Sequence, residues 1–138
     1  MIKYMNLIGI KARKASEYKV TTEVKNKVLN DYAKLIKNEK KFIINQNSKD
    51  INYARKRGLK ENLIKRLHLN ENKLDGIINS ILKIAKLRDP IDSTLEKWKR
   101  PNGLNIKRVS IPIGVIGVIY ESRPNVTSDV ASLCFKSG

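Results

Sequence analysis

The sequence predicts an α/β protein: a helical N-terminal region, a β-hairpin, and then the first strand and helix of a parallel sheet. Three observations carry that expectation. From Thr21 to Ala85 apolar residues recur at helical spacing with no alternating stretch between them. On either side of Pro101-Asn102-Gly103 apolar and polar residues alternate, the pattern of a hairpin with one solvated face. The run "GVIGVIY", Gly114 to Tyr120, is apolar on both faces, which suits a strand covered on both sides in a parallel sheet.

In "TTEVKNKVLNDYAKLIKN", Val24, Val28, Tyr32, Leu35 and Ile36 share one helical face, with Thr21 or Thr22 placed to cap it. "SKDINYARKRG" is expected to start at a Ser48 or Asp50 cap and to stop at Gly58, a residue suited to the left-handed backbone that ends helices. "KENLIKRL" makes a short helix. "NENKLDGIINSILKIAKLRDP" sets Leu74, Ile77, Ile78, Ile81, Leu82 and Ala85 on one stripe, and Pro90 ends it by disfavouring helix at Asp89. The hairpin follows from about Thr94 to Val109, then the "GVIGVIY" strand. "RPNVTSDVASLCFKSG" reads as loop and helix, with Pro124 near the start, Asn125, Thr127 or Ser128 as cap and Gly138 as stop.

The expected divisions are therefore 1–90, helical; 91–110, hairpin; and 111–138, strand, loop and helix. A strand apolar on both faces needs parallel neighbours, and a right-handed crossover would deliver the next one after Gly138. None follows, so the domain is expected to be incomplete, an N-terminal fragment or one product of a split gene.

Composition sets the outer bounds. A length of 138 residues suits about one domain. No apolar run reaches the roughly 18 residues that span a bilayer. One cysteine, Cys134, allows no internal disulfide and no multi-cysteine zinc site, and a cytoplasmic location is the simplest. In "MIKYMNLIGIKARKASEY" the basic cluster follows the apolar residues, the reverse of a secretory signal, although an acid-poor amphipathic start also fits a mitochondrial transit peptide.

The net charge of +16 would ordinarily point to nucleic acid or an anionic membrane. Its distribution argues otherwise. Of 29 Lys and Arg, 27 precede Val109, scattered over several helical segments with no arginine-rich block or aromatic platform. The chain holds 21 Lys, 18 Ile and 14 Asn, a bias that an AT-rich genome also produces. A solvated lysine surface, with neither nucleic acid nor membrane as partner, is expected; a small basic nucleic-acid-binding module is the alternative.

Gly114 and Gly117 match neither the dinucleotide fingerprint nor the RNA-binding GXXG loop, and are expected to let the backbone pack closely within a sheet. Cys134 lies on the apolar side of its helix with no histidine near in sequence, the setting of an inert thiol. His68, the only histidine, falls between two helices, and no metal site is expected. "YESRPNV" differs from these. It follows the carboxyl end of a strand and gathers Glu121, Ser122, Arg123 and Asn125 ahead of a helix N-terminus, where open α/β sheets place ligands. Arg123 could pair with a carboxylate or phosphate and Asn125 could donate to an oxyanion; a helix cap with a structural salt bridge is the other reading.

"IPIGVIGVIYESRPNVTSDVASLCFKSG" resembles the segment that marks the gamma-glutamyl phosphate reductases, or glutamate-5-semialdehyde dehydrogenases, of proline biosynthesis, within the aldehyde dehydrogenase superfamily. "EVKNKVL", "NSKDINYARKRGL", "LIKRLHLNENKLDGI" and "LRDPI" are similar to the same family in the same order. The resemblance implies an aldehyde-dehydrogenase-like, Rossmann-like sheet and an NADPH-dependent reduction of L-glutamyl 5-phosphate to glutamate 5-semialdehyde with release of phosphate. In that family a cysteine thiolate attacks the acyl phosphate and hydride resolves the thioacyl enzyme. The nucleophilic cysteine lies downstream of this segment, so Cys134 is not it and no catalytic residue is expected in this chain.

The resemblance further places Ile119, Tyr120, Glu121 and Ser122 near the nicotinamide of NADP(H), and Arg123 and Asn125 near the acyl phosphate or carboxylate of the substrate. It implies a homo-oligomer joined through the hairpin, a possible glutamate 5-kinase contact, and kinship with the stand-alone enzyme and not its kinase fusion. The isolated chain is expected to be inactive, or to act as a regulatory pseudo-subunit of a full-length reductase.

Overall fold

A computed structural model describes residues 2–138, with side chains from Lys3 onward. Among the described residues the elements are α1 (Ile2–Ser16), α2 (Thr22–Asn38), α3 (Lys40–Lys56), α4 (Glu61–Leu67), α5 (Glu71–Lys86), β1 (Thr94–Lys99), β2 (Asn105–Val109) and α6 (Pro124–Lys136). The fold is mostly helical, with one two-stranded antiparallel sheet.

Local chemistry starts the two central helices. The Thr21 hydroxyl accepts the Val24 N–H at 3.4 Å to cap α2, and the Asn70 side chain accepts the Lys73 N–H at 2.9 Å to cap α5. Both then present apolar stripes to each other. Leu29, Ala33 and Ile36 of α2 pack on Leu74, Ile77, Ile78 and Ile81 of α5, and α6 lies across both helices. Ile81 is wholly buried at the centre. Ile81→Val, which removes one methylene, should lower stability by about 1 kcal/mol in a urea titration with an unchanged slope.

Helix α3 begins eight residues before the expected Ser48 cap. Ile43 and Ile44 pack against the core cluster and draw the preceding turns into the helix. Ser48 is therefore interior, and its hydroxyl donates to the Ile44 carbonyl at 3.0 Å. Gly58 sits at φ 71° just past the helix end, as expected. Ile51 and Ala54 of α3 pack on Ile64 of α4 in a second cluster. Where α4 ends, buried Asn47 donates to the Leu67 carbonyl at 2.9 Å and accepts the Leu69 N–H at 2.8 Å, satisfying backbone that would otherwise be stranded.

Helix α1 was legible only as an amphipathic start; from Lys3 onward its residues are exposed almost throughout. The hairpin forms as expected, pairing Trp98 with Ile106 and Lys99 with Asn105, and Gly103 takes φ 88° in its turn. Most of its residues are solvent-exposed, Ile106 being half-buried.

The strand expected within Gly114–Tyr120 is not paired. After the Ser110 N–H donates to the Ser93 carbonyl at 3.0 Å, residues 111–121 run without a ladder. The cause is physical: a strand exists only by its partners, and the sole sheet among the described residues is the hairpin. Gly114 and Gly117 have open space where a Cβ would stand, so the expected close packing of backbone is absent too. Gly114 instead supplies a left-handed turn at φ 115°.

Candidate functional site

The polar loop joins the unpaired apolar segment to α6. Pro124 occupies the first turn of α6, where its missing N–H costs nothing. The N-cap is Arg123, without a side-chain cap, and not Asn125, Thr127 or Ser128 as expected. Those three lie inside the helix with other bonds to make. Ser128 donates to the Asn125 carbonyl at 2.9 Å, while the hydroxyls of Thr127 and Tyr120 share a hydrogen bond at 2.6 Å that ties the loop to α6.

Ser122 holds φ 50°, a left-handed conformation that costs a non-glycine residue roughly 1–2 kcal/mol. Such strain persists only where the surroundings impose it. Ser122→Gly should raise the melting temperature slightly and Ser122→Val should lower it, the two thermal scans diverging from wild type in opposite directions.

Asn125 points toward α5. Its amide donates to the Asp129 carboxylate at 3.3 Å, whose other oxygen accepts the Ser80 hydroxyl at 3.1 Å. Together with Arg66 and Lys73 these residues line a cleft of about 350 Å³ over an apolar floor of Leu69 and Ile77. Burial, and then the negative charge of Asp129, raise the Tyr32 hydroxyl above its ordinary range. The carboxylate therefore acts as a charge felt across the α2–α6 contact. Arg123, Ile119 and Glu121 are exposed and line none of this cleft. Arg123 makes no ion pair among the described residues, leaving its guanidinium available.

Sequence reasoning overlooked Asp129 and Ser80. The signal for the first was its i,i+4 spacing from Asn125 on one helix; nothing local points to Ser80, which comes from α5 across a long-range contact. Cys134 is half-buried beside Ile113 and Ile116 in a shallow groove, and His68 is exposed at the end of α4. Among the described residues no group of three or more potential metal ligands occurs, and no helix is long and apolar enough to cross a membrane.

The site is thus an α6 N-terminus opened by a strained polar loop, fed by an unpaired apolar segment and set against a helical layer. No protein-family model matches the chain. It is 47% identical over 116 residues to a gamma-glutamyl phosphate reductase of Nautilia profundicola, covering 84% of this chain and 28% of that protein. To that of Halothermothrix orenii it is 44% identical over 136 residues, 95% of this chain and 32% of the relative. The crystal structure of the Thermotoga maritima enzyme superposes with a TM-score of 0.86 at 41% identity, over 92% of this chain and 31% of that one. The Saccharomyces cerevisiae enzyme gives 0.89 at 30% identity, over 95% and 34%. Along nearly its whole length the chain is similar to gamma-glutamyl phosphate reductases, and it spans about a third of the length of the relatives it matches.

Proposed function

We propose that this chain is the part of an NADPH-dependent reductase that positions the end of L-glutamyl 5-phosphate being reduced to L-glutamate 5-semialdehyde with release of phosphate, in proline biosynthesis. The observation that carries the reading is the match along nearly the whole chain, in sequence and in fold, to proteins bearing that enzyme's name. Its site residues are those of the loop. Arg123, exposed and without an ion pair among the described residues, binds the acyl phosphate or carboxylate, and Asn125 follows two residues on, in the first turn of α6. Ile119 and Tyr120 offer an apolar, planar-faced edge against a nicotinamide, with Tyr120 held by Thr127 and with Glu121 and Ser122 closing the edge. Bound NADPH would supply the hydride; the chain's own residues orient what receives it.

The same reading divides the chain into a helical part over 1–90, an oligomerisation arm over 91–110, whose Leu95, Trp98 and Leu104 are exposed, and the opening of the cofactor sheet over 111–138. A homo-oligomer, a cytoplasmic location and a contact with glutamate 5-kinase go with it. By itself the chain is inactive, because the nucleophilic cysteine comes from the remaining two-thirds of the enzyme. The test joins this chain to the missing portion of the Thermotoga maritima relative and follows NADPH oxidation with enzymatically generated glutamyl phosphate. Turnover by the joined protein and none by the chain alone is the expected result; turnover by the chain alone sinks it. The alternative that draws on the +16 charge, a nucleic-acid-binding module, predicts DNA or RNA binding that falls steeply with salt.

A further inference from the structure

The cleft between α5 and the first turns of α6 holds charges of both signs that nothing in the fold uses up. The Asp129 carboxylate makes no ion pair among the described residues, although the chain carries 29 Lys and Arg. It accepts one hydrogen bond from Ser80 and one from Asn125, and a carboxylate has about four lone-pair sites. That leaves two without a partner on a residue that lines the cleft. Arg66, on the same cleft, likewise has no carboxylate partner among the described residues. Lys73 is committed in part: its ammonium donates to the carbonyls of His68 at 2.6 Å and Lys65 at 3.3 Å, which fixes its head at the rim.

A half-buried acid with spare acceptors, a free guanidinium and an anchored ammonium around one small cleft form a complementary surface for a zwitterion. We propose that this cleft binds the α-amino-acid end of the substrate, Asp129 accepting from the α-ammonium and Arg66, assisted by Lys73, pairing with the α-carboxylate. The inference rests on the glutamyl phosphate reading, which supplies a ligand with an ammonium and a carboxylate on one carbon. Ser80 and Asn125 are positioning residues: their hydrogen bonds hold the carboxylate in place at the cleft that all three line. Charge-assisted contacts of both signs would reject a dicarboxylic acid lacking the amine, because Asp129 would face it unpaired.

The probe is L-glutamate, with glutarate as the analogue that lacks the amine, titrated into the isotope-labelled chain and followed by amide chemical shifts. Glutamate should perturb residues 66–80 and 124–129 and bind about 10-fold or more tighter than glutarate. Asp129→Asn should weaken glutamate about 10- to 100-fold and leave glutarate unchanged, whereas Arg66→Gln should weaken both. Equal binding of the two probes, indifference to Asp129→Asn, or no shifts in a dispersed spectrum overturns the proposal. Should the chain alone give a collapsed spectrum, the joined reductase decides: Asp129→Asn should raise KM for glutamyl phosphate about 10-fold with KM for NADPH unchanged, and an unaltered KM for glutamyl phosphate overturns it. Glutamate binding without turnover by the joined protein would leave the amino-acid site standing and the reductase reading refuted; turnover with no effect of Asp129→Asn would do the opposite.

Discussion

Lys25→Ala is expected to be among the most damaging single changes to the fold, costing about 3–5 kcal/mol. Lys25 is 4% exposed on the first turn of α2, and its ammonium donates to both oxygens of Asp89, at 2.9 and 3.1 Å. The Thr22 hydroxyl adds a bond to the same carboxylate at 2.9 Å and the Ile91 N–H another at 3.0 Å. One carboxylate thereby fastens α2, the end of α5 and the base of the hairpin. Deleting the cation leaves a nearly buried charge without its partner, a large loss for a domain whose total stability is about 5–15 kcal/mol. Replacing both partners together, Lys25→Met with Asp89→Leu, should recover much of the loss, since it removes the stranded charge along with the pair. Urea midpoints of the two single variants and the double variant measure this directly.

The same pair gives a pH dependence. Burial pushes the Asp89 carboxyl up, but the hydrogen bonds from Lys25, Ile91 and Thr22 outweigh it and hold it below the usual carboxylate range. A depressed carboxyl contributes stability that is complete above its unfolded value of about 3.9 and disappears as pH falls through the lower folded value. Wild type should therefore lose stability below about pH 4, and Asp89→Asn should flatten that part of the profile.

Arg123→Ala is expected to have the opposite character, within about 0.5 kcal/mol of wild type in stability but severe in activity. Its side chain is exposed and makes no ion pair among the described residues, so the fold loses nothing with it. In the joined reductase the loss of the cation proposed to face the acyl phosphate should lower kcat/KM by about 10²- to 10³-fold, with Arg123→Lys recovering part of it. A variant of full activity would remove Arg123 from the site.

The contrast between these two residues marks what a sequence can disclose. Local rules placed the spans of α2, α4, α5, the hairpin and the Gly58 stop correctly, because each is written in capping and turn chemistry within a few residues. The face that α2 turns to the core is instead Leu29, Ala33 and Ile36, while Val24, Val28 and Leu35 of the expected stripe are exposed, since the facing helix and not the local pattern selects it. The start of α3 was missed because Ile43 and Ile44 answer to the core and not to a cap. The Gly114–Tyr120 segment was read rightly as apolar on both faces and wrongly as already a strand, since pairing is a property of neighbours. The loop residues Arg123 and Asn125 stood out by type and position. Asp129 and Ser80 did not, because the first looks like any helical acid until the second reaches it from α5.

On the proposed reductase reading, residues 111–121 are a strand in waiting, whose partners come from the other two-thirds of the length of the relatives. Hydrogen exchange at the amides of Val115, Ile116, Val118 and Ile119 is to be compared between the chain alone and the chain joined to the remainder of the Thermotoga maritima relative. These amides should exchange freely in the chain alone and slow by on the order of 10³ or more when joined. Protection in the chain alone, or continued free exchange in an active joined protein, would contradict it.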